Sequence, residues 1–119
     1  MKYVLLIYQG TTPLPGSPEW ERLSNDEQKA IYAEYGAVNR TPGVTLGVPL
    51  GLPENATTVK VRDGKTLTTD GPFIAAKEAL GGYFVFEADD LDTAIELAAR
   101  IPAARLGGAI EVRPSETYW

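Results

Sequence analysis

A chain of 119 residues with 44% apolar and 23% charged side chains has the composition of an ordinary globule, enough for one core and too short for two. Its net charge of −5 and its scattered basic residues exclude a nucleic-acid surface, which needs clustered Lys and Arg. With neither histidine nor cysteine, there is no ordinary zinc site, no His or Cys haem ligand, no Ser-His-Asp triad, no disulfide framework and no imidazole base near neutral pH; carboxylate, Lys, Tyr, Arg or main-chain chemistry remains.

Lys2 to Tyr8 is an unbroken apolar run with β-branched and aromatic side chains, the pattern of a strand covered on both faces. It is too short for a signal-peptide core and lacks a small-residue cleavage site. No stretch approaches a membrane-spanning length, so a cytoplasmic address is expected. Gly10 to Pro18 is rich in Pro and Gly and reads as a loop, ending at Trp20. Ser24-Asn25-Asp26-Glu27 forms a capping box that opens a helix to about Val38, with Ile31, Tyr35 and Val38 on the buried stripe. Gly36 within it costs roughly 1 kcal/mol against Ala, which implies close packing there.

Val44 to Leu50 reads as a second strand, interrupted by Gly47 and closed by Pro49 and Pro53. Thr57 to Arg62 and Lys65 to Thr69 flank Asp63-Gly64, the dipeptide of a type I′ hairpin turn. A two-residue turn sets Arg62 against Lys65, Val61 against Thr66, Lys60 against Leu67 and Val59 against Thr68, with the valines on the expected core face. Asp70-Gly71-Pro72-Phe73 follows as a shaped turn: Gly71 permits positive φ and Pro72 fixes how Phe73 is presented. Gly82 to Ala88 is the clearest strand. Asp89 and Asp90 cap a second helix whose stripe is Leu91, Ala94, Ile95, Ala98 and Ile101, and Pro102 stops it. Ala109 to Arg113 is the last strand, ended by Pro114.

This order predicts a single α+β domain over residues 1–119: a ferredoxin-like β-α-β-β-α-β sheet with an extra hairpin strand and two helices on one face. Two helices cover one face only, yet the first strand and the Gly82 strand are apolar on both. A second copy, sheet facing sheet, is the simplest cover, so a homodimer is expected.

Each candidate site residue has a structural reading beside its functional one. Asp70 caps its own turn, as Asp commonly does, or presents a carboxylate at a cleft edge. Lys77 and Glu78 form a solvated ion pair or clamp a carboxylate-bearing ligand. Arg62 and Arg113 offer planar forks to carboxylate or phosphate, or pair with Glu87 or Glu111 at a sheet edge. Tyr8, Tyr83 and Trp20 pack in the core or an interface, or line an aromatic pocket. Asp89, Asp90 and Asp92 are explained by capping, so no metal and no cofactor are expected.

The motifs Lys2-Tyr3-Val4-Leu5-Leu6-Ile7-Tyr8, Trp20 with Leu23, Thr57 to Gly64, Asp70-Gly71-Pro72-Phe73, Lys77-Glu78 with Gly81-Gly82-Tyr83, and Ile110-Glu111-Val112-Arg113-Pro114 span nearly the whole chain. Together they resemble the DGPF branch of the YCII-related proteins, small bacterial proteins of the dimeric α+β barrel type. The resemblance implies a barrel built from two copies and a small anionic or aromatic metabolite in a pocket between sheet and helices. It also leaves open a cofactor-free enzyme of the oxygenase, isomerase or lyase kind, or a regulatory protein associated with sigma-factor signalling. One departure stands out: the family usually places Glu and Thr before the Lys-Glu pair, where this chain has Ile74-Ala75-Ala76. Binding around Asp70, Arg62, Arg113 and Lys77 is therefore expected over catalysis.

Overall fold

The structure of the protein, a computed structural model, describes residues 1–74 and 79–119. Its elements run β1 (Lys2–Tyr8), α1 (Pro18–Glu21), α2 (Asn25–Asn39), β2 (Val44–Pro49), β3 (Thr57–Arg62), β4 (Lys65–Asp70), β5 (Leu80–Glu87), α3 (Leu91–Ala99) and β6 (Ala109–Pro114). The doubly apolar strands β1 and β5 occupy the centre of an antiparallel sheet of order β2-β5-β1-β6. This is the ferredoxin-like α+β arrangement, with α2 and α3 packed on one face.

Strand alternation sorts the side chains. Tyr3, Leu5, Ile7, Phe84 and Phe86 face the helices and are buried with Val38, Ala94, Leu97 and Ile101. Val4, Leu6, Tyr8 and Val85 point the other way and stay half-buried, while Tyr83 and Val48 are exposed. Among the described residues no element covers this outer face. The β1–β6 register sets Arg113 beside Val4 and Glu111 beside Leu6, so both charges stand on it.

The helix ends follow the expected chemistry. Ser24 Oγ accepts from the Glu27 N–H at 3.1 Å while Glu27 Oε1 accepts from the Ser24 N–H at 3.0 Å. Asp90 Oδ1 accepts from the Thr93 N–H at 2.8 Å. In α3 the buried stripe is Ala94, Leu97 and Ala98, continued by Ile101 beyond the helix; Leu91 and Ile95 are each 49% exposed. The stripe is thus centred on Leu97, one helical step from where sequence spacing put it. Gly36 has no foreign neighbour: a Cβ there would meet the Arg40 guanidinium of its own helix at 3.1 Å. Pro18–Glu21 forms a short helix where the loop was expected to run on, because Ser17 caps it and Pro18 supplies the fixed φ of a first turn.

The hairpin has the expected turn and register, with Asp63 at φ 51 and Gly64 at φ 74. Among the described residues its two strands pair only with each other, as a ribbon separate from the main sheet. The valine face is not a core face: Val59 and Val61 are 58% and 70% exposed. Among the described residues of one chain nothing buries them. The Cα radius of gyration of 15.9 Å exceeds the roughly 13.5 Å of a compact domain of this length, consistent with an arm standing off the body.

Candidate functional site

Between the sheet, α2 and the chain that follows β1 lies a cavity of about 440 Å³. It falls within the range of small-molecule sites. Its floor is Ile7, Gly82 and Phe84 of the sheet, and Tyr35 of α2 stacks on Phe84 at 6.5 Å between centroids. Ile31 and Tyr32 continue the α2 wall, and Trp20 meets Tyr32 edge-on at 5.2 Å. Segment 12–15 and segment 48–52 close the remaining sides.

Each wall has a local cause. After β1 the chain turns at Gly10, φ 53, and is pinned by the Thr11 N–H donating to the Gly107 carbonyl at 3.1 Å. Ser17 Oγ donates to the Leu14 carbonyl at 2.6 Å, which folds the proline-rich loop back and directs Trp20 inward. On the other side the Gly47 N–H donates to Asn39 Oδ1 at 2.8 Å, tying the irregular middle of β2 to the end of α2. Gly47 must be glycine here, since a Cβ would run into the Phe84 ring.

Two polar side chains interrupt the apolar lining. Gln9 is 6% exposed, and among the described residues its Nε2 and the Thr12 Oγ1 are buried without a hydrogen-bond partner. Gly81 makes room for Gln9: a Cβ there would lie 2.9 Å from Gln9 Cγ. Among the described residues no Asp, Glu, Lys or Arg lines the cavity. Burial pushes the Tyr35 hydroxyl above its ordinary pKa, with the Ala103 backbone and the Arg105 charge opposing, so Tyr35 stays protonated at neutral pH. Buried orphan polar groups are rare in folded proteins because each costs about 1–3 kcal/mol.

The residues singled out from sequence lie elsewhere. Asp70 closes β4 at the base of the hairpin, Arg62 closes β3 at its tip, and Arg113 stands on the outer face of β6; all three are exposed. Five residues of strand separate the Arg62 and Asp70 ends, about 17 Å. Lys77 and Glu78 lie outside the described residues. The turn after β4 is held by the Gly71 N–H donating to Ala56 O and by Thr58 Oγ1 donating to Gly71 O, both at 2.7 Å, with Gly71 at φ 101. Among the described residues no donor reaches the Asp70 carboxylate. Of the aromatic trio, Trp20 lines the cavity, Tyr83 borders it from a strand position that alternates onto the outer face, and Tyr8 does not line it. Gln9, Thr12, Ile31 and Tyr35 are among the lining residues whose part in a site the sequence reading did not foresee. Gln9 had a signal: the inward series Tyr3, Leu5, Ile7 continues to it, placing a polar side chain on the buried side.

Among the described residues no helix is long and apolar enough to cross a membrane, and no three metal-binding side chains gather. The YCII-related domain model matches residues 1–116. The chain is 31% identical to an uncharacterized protein of Rhizobium meliloti (strain 1021), over 99% of this chain and 94% of that one. It also resembles the solved structure of a 5-chloro-2-hydroxyhydroquinone dehydrochlorinase from Burkholderia phenoliruptrix AC1100 in complex with 2,5-dihydroxybenzoquinone, at 17% identity and a TM-score of 0.46, covering 98% of this chain and 94% of that one. That likeness is too distant to carry a chemistry across. The match over residues 1–116 places the chain in the YCII-related family.

Proposed function

We propose that this chain is a small-molecule-binding protein that works as a homodimer, with the ligand held in the cavity between sheet and α2. The observation that carries the reading is the cavity itself: about 440 Å³ with a lining dominated by Trp20, Tyr35, Phe84 and aliphatic side chains. A basic partner for an anionic ligand is absent from the described lining, so the aromatic half of the sequence expectation has the stronger support. With no carboxylate or amine among the described lining residues, binding is favoured over acid–base turnover.

The homodimer rests on the uncovered outer face, where Val4, Leu6, Tyr8, Tyr83 and Val85 form an apolar surface. An anion site around Asp70, Arg62, Arg113 and Lys77 is a separate proposal. It requires two copies, since one hairpin holds Arg62 and Asp70 at opposite ends.

A thermal-shift panel of neutral ring compounds tests the cavity, because a ligand at a hundredfold excess over its Kd stabilises the folded state by about 2.7 kcal/mol. Ile31→Trp, which fills the α2 wall, should abolish the shift while keeping the fold. A panel that leaves the melting temperature unmoved, or a shift that survives in Ile31→Trp, would overturn the reading. Light scattering tests the dimer, and a monomer mass at micromolar concentration would sink it.

A further inference from the structure

The cavity and the outer sheet face share a boundary. The cavity lining runs from buried side chains such as Trp20 and Phe84 to the exposed Tyr32, Val48, Leu50 and Tyr83 at its rim, so among the described residues one end of it stays open to water. Two of these rim residues also belong to the outer face. Strand register sets Glu111, Leu6, Tyr83 and Val48 side by side, one row across β6, β1, β5 and β2, and residues opposite one another in a ladder stand on the same face. The row starts on a charged sheet edge and ends at the cavity rim, about 14 Å away. The neighbouring row starts at Arg113 and runs through Val4 and Val85 to Thr45. Among the described residues neither Arg113 nor Glu111 has an ion-pair partner. Opposite charges two residues apart on one apolar face make that face complementary to itself, as an interface about a two-fold axis requires, because there the same patch meets itself.

Resting on the reading of the chain as a dimer with a ligand in the cavity, we propose that the ligand site is shared between two chains: the second copy that covers the outer face also covers Val48 and Tyr83 and closes the cavity rim. A ligand in a single chain keeps its outer edge in water. In the dimer that edge is buried against the partner subunit, so the ligand interacts differently with the two states, as any shift between them requires. Ligand binding then tightens the dimer, and dimerisation tightens the ligand by the same factor.

Calorimetric titration of two neutral ring probes, indole and naphthalene, against dimer and monomer reads this directly. Leu6→Asp, in the middle of the row, and Arg113→Glu, at the start of the next, both lie outside the cavity lining. Each should give a folded protein of half the wild-type mass, with probe affinity lowered by about fivefold or more. Should Leu6→Asp misfold, the exposed Arg113 decides. Combining Glu111→Arg with Arg113→Glu restores complementary charge and should recover both mass and affinity, which a merely damaged fold would not. In reverse, saturating indole should lower the wild-type dimer Kd by the factor lost in the variants. Equal probe affinity in a folded monomer and in the dimer would overturn the shared site and leave the cavity and the dimer standing. A monomeric wild type, or a dimer that survives both substitutions, would overturn the outer face as the interface and the shared site with it. No binding of either probe by the wild type would overturn the cavity reading itself.

Discussion

The body and the hairpin arm are built from the same kind of strand and end in opposite conditions. In the body, the inward faces of β1 and β5 meet α2 and α3, and Leu5, Leu97 and Ile101 are at most 1% exposed. In the arm, Val59 and Val61 alternate as regularly as Leu5 and Ile7 and are left in solvent. Alternation tells which side chains share a face; only tertiary packing tells whether the face has a partner. Among the described residues the inner core of the body is covered within one chain, whereas the arm and the outer sheet face stay exposed or half-buried.

Truncation should expose that difference most strongly. Leu5→Ala removes a fully buried side chain and is expected to cost about 2–5 kcal/mol, read as a lowered midpoint in denaturant unfolding, while Val61→Ala should stay within about 0.5 kcal/mol in the monomer. A cost for Val61→Ala that grows with protein concentration would show that a second copy covers the arm.

Charge placed on the two sheet faces should separate folding from assembly. Phe84 and Phe86 face the helices, so Phe84→Asp should unfold the chain rather than dissociate it. Leu6→Asp, on the outer face, should keep the circular dichroism of the folded body and halve the mass seen by light scattering. Loss of fold in Leu6→Asp with an unchanged wild-type mass would contradict the outer-face assignment.

Smaller effects sit at the helix ends. Ser24→Ala breaks the capping box of α2 and should cost about 1 kcal/mol in chemical denaturation. Glu27 and Asp90 have carboxyls held below their ordinary values of 4.5 and 3.8 by hydrogen bonds, first from the Ser24 and Thr93 backbone N–H groups respectively. A depressed folded pKa stabilises at pH above the ordinary value and loses that contribution as pH falls through the folded one. The melting temperature should thus be flat from neutral down to the ordinary carboxylate range and decline below it; with Ser24→Ala the part due to Glu27 should shrink. The smallest effect is expected for Asp70→Asn, whose carboxylate receives no bond among the described residues, so its melting temperature should match wild type.

Much of the fold was legible because its signals are local. The capping box at Ser24, the Asp63-Gly64 turn, the register of the hairpin and the doubly apolar strands each follow from a few neighbouring residues. The cavity was not, since its walls come from segments as distant as Gln9, Tyr35, Leu50 and Phe84, and a void belongs to none of them. Asp70 drew attention as a carboxylate in a tight turn and Arg62 and Arg113 as planar forks on strands, and the structure puts all three on exposed surface. Leu97 is buried and Ile95 is 49% exposed because packing against the sheet, which spacing along one helix does not encode, chose between adjacent stripes.

Amide hydrogen exchange with and without a saturating neutral ring compound from the thermal-shift panel tests most directly whether the ligand site belongs to the body or to the arm. Added protection should fall on residues 9–20, on the α2 turn around Tyr35 and on residues 47–52, with residues 57–71 unchanged. Protection concentrated in 57–71, with the cavity segments unaffected, would contradict the account and move the site to the hairpin and its Asp70 turn.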